Sequence, residues 1–258
     1  MVSFAAEPIF RIGSFSVTNT LVNTALIDAT LLSVCFVTSK KIKYVPGKLQ
    51  NILEYIIQVF NDLIESVAPN RGKIILPFVV TFFVFILLIN WSGLLPGVGT
   101  IGFFEEHEHK KVLIPLVRAA TSDINTTLAL ALVSAVSTHV LSIKLTGIKD
   151  YLSRFFSINP INLFVGLLEL VSEITKVVSL SFRLFGNIFA GEVVLVTVSS
   201  LFAFLFPLPF MLLEVIVGIV QALVFAMLTM SFMAIMTTPH HAHENIIENH
   251  INGKEVRK

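Results

Sequence analysis

Charge is scarce in this chain of 258 residues: Asp, Glu, Lys and Arg make up 14% of it, where soluble globular domains carry about 25%. That scarcity argues against a solvent-facing domain, and a net charge of +1 gives no sign of nucleic-acid binding. Cysteine is reduced to Cys35, so no disulfide can close within the chain. Lying in an apolar run, Cys35 reads as a small apolar filler. No glycine-rich phosphate loop is present, so nucleotide chemistry has no place on this chain and no cofactor or metal is expected. The first sixteen residues include Glu7, Pro8 and Arg11 and lack a basic start followed by an apolar core. No cleavable signal is therefore expected, and the first long apolar run would serve as an uncleaved anchor.

What the chain has instead is hydrophobic residues, 55% of the total, gathered in runs that reach the ~20 residues needed to cross a bilayer. The expected fold is all-α: a polytopic helical membrane protein forming one membrane domain over residues 1–258. Residues 1–16 form an outer N-terminal segment. Membrane helices are expected over 17–38, 74–95, 122–143, 160–205 and 209–236, with a polar cytoplasmic tail over 237–258. Residues 49–67 differ in character. Ile52, Leu53, Ile56, Ile57, Phe60, Leu63, Ile64 and Val67 recur at helical spacing among Gln50, Glu54, Gln58, Asn61, Asp62 and Glu65. They predict an amphipathic helix on the membrane or a neighbouring helix, or else an ordinary packing helix. The third run opens with Ser122 or Asp123 as its N-cap.

Lys and Arg fix the expected orientation. Twelve fall in the 39–73 and 144–158 loops and the tail, against Arg11, Lys110, Lys111 and Arg118 on the other side. The N-terminus is expected outside and the C-terminus in the cytoplasm, a parity that five helices satisfy. The fourth run is too long for an upright helix, since about 46 residues at 1.5 Å each span roughly 69 Å against a hydrocarbon core of about 30 Å. Either a break hides near Gly186 or Gly191, or the helix is steeply tilted. The second reading, a tilted hairpin turning at Phe204 to Pro209, is favoured.

Arg183 lies inside this run. A charge at that depth costs roughly 2.5–3.5 kcal/mol, and a guanidinium cannot escape by deprotonating. With Arg183 at zero on a helical wheel, Glu169, Ser172, Lys176, Ser179, Asn187 and Ala190 fall within about 40° of it. Ser172 and Ser179 taken alone are equally suited to helix packing, and Lys176 to snorkelling toward the cytoplasmic interface. Aligned with Arg183 and Glu169, they point to an ion path. Glu192 points the other way. On the fifth run Glu214, Gly218 and Gln221 share one face, with Glu214 at the depth of Glu192. The two carboxylates form a relay from outside, or share one proton for packing alone. Arg183 stands between the two polar routes as a fixed cation that stops a direct leak.

The segment Ser179-Leu180-Ser181-Phe182-Arg183-Leu184-Phe185-Gly186-Asn187-Ile188-Phe189-Ala190-Gly191-Glu192 closely resembles the signature of the a subunit of F-type rotary ATP synthases. Asn90 with Leu94-Leu95-Pro96, Ser122 to Leu128, and Gln221 to Phe225 extend the resemblance over nearly the whole chain. It implies a non-catalytic proton-channel subunit. Arg183 would face the carboxylates of a rotating ring of c subunits, with Asn187 and Gln221 beside it. Glu192 and Glu214 would belong to a half-channel open to the outside, and Glu169, Ser172 and Ser179 to one open to the cytoplasm. The implied partners are the c ring, the peripheral-stalk b subunits (met by residues 49–67), the rest of the complex and the lipid bilayer. Many bacterial members have a His where this chain has Glu214. Gly191-Glu192 is similar to bacterial and plastid members, which favours a bacterial inner membrane. Proton or sodium coupling is open on this reading, because the ring supplies the ion site. His240, His241 and His243 read as a polar tail rather than a metal site. His107 and His109 among Glu105, Glu106 and Glu108 read as a solvated acidic loop. A secondary transporter would need internal repeats that the sequence lacks, and a membrane scaffold would not need Arg183 aligned with Glu169.

Overall fold

A computed structural model describes residues 8–12, 15–40, 42–44, 46–69, 71–95, 98, 102–107, 110–115, 117–155, 160–201 and 206–238. The chain begins with a hairpin of β1 (Pro8–Ile12) and β2 (Phe15–Thr18), then α1 (Asn19–Lys40), α2 (Lys48–Val67) and α3 (Gly72–Ser92). A second hairpin, β3 (Gly102–His107) and β4 (Lys110–Pro115), leads through one 3-10 turn (Ala120–Ser122) into α4 (Ile124–Thr146). The short α5 (Ile148–Phe155), then α6 (Pro160–Leu201) and α7 (Pro207–Met236), complete it. Among the described residues, five helices are long and apolar enough to cross a membrane: α1, α3, α4, most of α6 and α7. The protein is a polytopic helical membrane protein.

Local chemistry sets several boundaries. Asp123 is the N-cap of α4, its carboxylate accepting from Asn125 N at 3.0 Å, which decides between the two candidate caps. Gly147 ends α4 at φ +87°, a left-handed conformation that a side chain disfavours, and so turns the chain into α5. Pro207 starts α7, where its missing N–H costs no intrahelical bond. The C-terminal carbonyls of α7 are met by donors from three other elements. Arg71 donates to Thr237 O, Ser142 Oγ to Met236 O at 2.6 Å, and Arg154 to Met236 O at 3.3 Å and Thr238 O at 3.0 Å. Cations at a helix C-terminus also complement its dipole.

The core is built around α3 and α7. Ile75 and Val79 pack with Phe60 and Ile64 of α2 and with Ala226, Met230 and Met233 of α7. Phe82 and Ile86 pack with Ala131 of α4, Leu180 and Leu184 of α6, and Ala222 and Phe225 of α7. Alanines on α7 let the helices approach closely. The amphipathic helix α2 docks through this patch, while Ile52, Tyr55, Ile57 and Val59 remain exposed. α1 buries only Asn19, Thr20 and Asn23 near its start, through bonds such as Asn23 Nδ2 to Ser92 Oγ at 2.7 Å. Cys35 is exposed on α1 and so fills no interior gap.

The open alternative for the fourth run is decided, and two expectations change. The fourth run carries no break at Gly186 or Gly191: α6 is one helix of 42 residues, about 63 Å long at 1.5 Å per residue. Residues 105–107 and 110–111 are strands rather than a loop, with Glu105 opposite Val112 and Glu106 opposite Lys111. Part of the N-terminal segment is also paired, Pro8 opposite Thr18. Only β2, Phe-Ser-Val-Thr, alternates apolar and polar residues; its partner and both strands of the second hairpin do not, so the periodicity that reveals half-buried strands is mostly missing. His109, the 204–205 part of the expected hairpin turn, and His240, His241 and His243 lie outside the described residues.

Candidate functional site

One face of α6 is packed and the opposite one is bare. Leu180, Ser181, Leu184 and Ile188 are buried, whereas Ser172, Ser179, Arg183 and Asn187 are exposed. Of the stripe on the helical wheel, the bundle leaves Ser172, Ser179, Arg183, Asn187 and Ala190 uncovered and half-buries Glu169 and Lys176. Arg183 donates from Nη2 to Ser179 Oγ at 3.5 Å, one turn away. Beside them runs a groove of about 380 Å³, lined by Ser172, Thr175, Lys176, Ser179 and Arg183 of α6 and by Leu228 and Phe232 of α7. Lys176 is held from within the chain. Its Nζ lies 2.6 Å from Glu173 and 4.8 Å from the centre of the Phe232 ring. Glu169 is not among the residues lining the groove, and its carboxylate lies 3.6 Å from Arg154 Nε on α5.

A second polar site lies on the other side of Arg183 along α6. Asn187 Nδ2 donates to Gln221 Oε1 at 2.7 Å and so ties α6 to α7 one turn beyond the arginine. Asn90 of α3 donates to Gly218 O at 3.3 Å and accepts from Thr121 at 2.9 Å. Beyond these, a cavity of about 220 Å³ is lined by Asn90, Arg118, Ile188, Glu192 and Glu214, with Pro115 and other residues at its wall. Arg118 grips Glu192 with two bonds, Nε to Oε1 at 3.1 Å and Nη2 to Oε2 at 3.2 Å. The side-chain accessibilities of the pair are 8% and 26%. Such a fork is the strongest arrangement for a carboxylate in an apolar setting. Glu214 shares the cavity, and its buried Oε2 has no hydrogen-bond partner among the described residues. Gly191 makes this approach possible: a Cβ there would come within 2.8 Å of Glu214 Oε1.

The structure thus brings Glu192 with Glu214, Asn187 with Gln221, and Ser172, Lys176 and Ser179 with Arg183. It separates Glu169 from the groove. It also adds residues. Arg118 entered the sequence reading only as a loop charge; nothing in its neighbourhood announces a contact 74 positions away. Glu173 lies about 80° off the stripe on the wheel, but its spacing of three from Lys176 is a pairing signal. His139 lies inside the third apolar run, where an ionisable residue is itself a flag. It meets Tyr151 of α5 at 3.1 Å and Glu173 at 3.8 Å. Among the described residues, no group of three His, Cys, Asp or Glu side chains suits a metal ion.

Fold and site together define a multi-span membrane protein with a cation displayed at mid-helix between two polar routes. A family profile described as ATP synthase A chain matches residues 20–234. ATP synthase subunit a of Moorella thermoacetica is 34% identical over 226 residues, covering 88% of this chain and 94% of that protein. ATP synthase subunit a of Geotalea daltonii and ATP synthase subunit a 3 of Pelobacter propionicus are each 37% identical over 213 residues, 81% of this chain and 83% of theirs. The chain belongs to the ATP synthase A chain family.

Proposed function

We propose that this chain is the proton-translocating stator subunit of a rotary F-type ATP synthase, itself non-catalytic, acting as one membrane domain in a bacterial inner membrane. The observation that carries the reading is the bare face of α6. Arg183 is exposed there in the middle of an apolar span, where an isolated charge facing lipid would cost roughly 2.5–3.5 kcal/mol. A partner that supplies carboxylates to that face removes the cost. A ring of c subunits, each with an intramembrane acid, is such a partner.

On this reading the cavity at Glu192 and Glu214 is the end of a half-channel open to the outside, and the groove along Ser172 and Ser179 leads to the cytoplasm. A ring carboxylate approaching Arg183 becomes ionised, because the guanidinium favours its charged form. Its proton leaves along the groove. After passing Arg183 it takes a proton delivered through Glu214 and the Asn187–Gln221 bridge, then re-enters lipid neutral. Arg183, which stays charged, blocks a proton moving straight between the two routes. A helix of about 63 Å beside a hydrocarbon core of about 30 Å implies that α6 and α7 run steeply inclined along the ring. The N-terminus lies outside and the C-terminus in the cytoplasm. The exposed apolar side of α2 meets the peripheral-stalk b subunits.

The test is ATP-driven proton pumping in membrane vesicles with the assembled complex. Arg183→Ala is expected to abolish pumping while the complex assembles, and Glu214→Gln to slow it less severely. Unchanged pumping by Arg183→Ala would overturn the stator role.

A further inference from the structure

Four titratable side chains from three helices meet at the groove: Lys176, which lines it, and Glu173, His139 and Tyr151, which do not. Glu173, whose side chain is 13% accessible, holds Lys176 on one oxygen at 2.6 Å. Its other oxygen lies 3.8 Å from His139 Nε2. His139 Nδ1 lies 3.1 Å from the Tyr151 hydroxyl, and the two rings meet edge to face at 5.9 Å. Tyr151 belongs to α5, which is not one of the membrane-crossing helices. The chain of groups therefore runs from the groove at Lys176, through the bundle, to the end of the molecule where α4 turns into α5. Burial, and next the charge of Glu173, push the Tyr151 phenol above its ordinary value of 10 against the opposing pull of Arg154. The phenol so keeps its O–H for donation.

We propose that Glu173, His139 and Tyr151 form a lateral proton path between the groove and the cytoplasmic surface, parallel to the one along Ser172. The inference rests on the stator reading and deepens it. The groove's own lining favours a side route. Its hydroxyls are neutral, and the Lys176 ammonium repels an incoming positive charge, whereas Glu173 on the far side of that ammonium accepts a proton. In the release direction a proton binds Glu173, and His139 Nε2 takes it as its Nδ1–H passes toward the Tyr151 oxygen. The phenol gives its own proton to water at the surface. One proton enters, one leaves, and the imidazole is restored by ring rotation or by exchange through water. The 3.8 Å gap between Glu173 and His139 is closed by side-chain rotation or by a bridging water. The charged and titratable groups facing His139 are Tyr151 from α5 and Glu173 from α6. Arg154 of α5 with Glu169 of α6, and Lys176, form the next ring of charge.

The experiment uses vesicles with the cytoplasmic face outward and the whole enzyme assembled, measuring ATP-driven pumping and gradient-driven synthesis as the outer medium is titrated. His139→Gln is expected to lower both rates by about fivefold to tenfold, less than the hundredfold that positioned proton-transfer groups contribute at the low end of their range, since the groove still conducts. It is also expected to flatten the dependence of the rate on the pH of the outer medium. Tyr151→Phe, which removes one oxygen and keeps the ring, is expected to slow both rates by about twofold and decides the matter if His139→Gln fails to assemble. Added imidazole is expected to restore part of the rate of His139→Ala. A residue that merely holds α4 to α6 would give neither the flattened profile nor the rescue. Unchanged rates and profiles in an assembled variant overturn the relay. If Arg183→Ala pumps normally in the same vesicles, the stator reading fails; if it does not pump and the His139 and Tyr151 variants behave as wild type, only the relay fails.

Discussion

The cavity at Glu192 and Glu214 lies between helices, whereas the groove at Ser172, Ser179 and Arg183 lies on their outside. In the cavity Arg118 grips Glu192, and Glu214 is pressed against the α6 backbone at Gly191, with one buried oxygen that has no hydrogen-bond partner among the described residues. On the groove, Lys176 is paired with Glu173, but among the described residues Arg183 has only a long bond to the neighbouring Ser179. The difference teaches which half of the site this chain completes alone and which it leaves for a second molecule. An enclosed site depends on exact complementarity within one fold; an open one depends on what is brought to it.

Beyond the loss of pumping expected for Arg183→Ala, the comparison is broken most strongly at Arg118. Arg118→Leu leaves Glu192 without its partner. The expected cost is about 2–3 kcal/mol of stability, below the roughly 3–5 kcal/mol of a fully buried pair, because the Glu192 side chain keeps 26% accessibility. Thermal melting of the detergent-solubilised complex measures it. The double variant Arg118→Leu with Glu192→Leu should recover much of the stability without recovering pumping, which separates the structural share of the pair from its transport share. Gly191→Ala tests the crowding. A Cβ placed 2.8 Å from Glu214 Oε1 displaces the carboxylate, and a misplacement worth about 1 kcal/mol slows pumping by about fivefold. Shortening the acid with Glu214→Asp in the same chain is expected to return part of that rate; a double variant no faster than the single one would remove the crowding argument. The smallest effect belongs to the groove. Ser179→Ala removes an exposed bond of 3.5 Å and should change pumping by less than about twofold, as expected of a weak, solvated contact.

The helices and the face of α6 were legible in the sequence because both follow from periodicity and length. The wheel alone grouped Ser172, Lys176, Ser179, Arg183 and Asn187, and run length left a hidden break or an element far longer than the bilayer is thick, of which the second was favoured. The strand pairs were not legible, since Gly102 to His107 carries no alternation to read. Arg118 was seen as a charge and missed as a partner of Glu192, because a contact over 74 positions leaves no local trace. Glu169 was placed on the stripe without its partner for a related reason: the wheel fixes the direction of its Cα–Cβ bond, but the arginine beside its carboxylate comes from α5, an element the apolar pattern does not reveal. Asp123 sits between these cases, one of two caps that spacing allowed and geometry chose.

The arginines at the end of α7 have a mechanical meaning. A rotor dragged past a stator pushes sideways on it, and a long helix standing beside the rotor bends unless its foot is fixed. The foot of α7 is held by Arg71 from the α2–α3 junction, Ser142 from α4 and Arg154 from α5, so a lateral load on the α6–α7 pair is shared by the rest of the bundle. In the stator role, these carbonyl contacts are the footing that turns proton flow into torque rather than into flexing of the subunit itself.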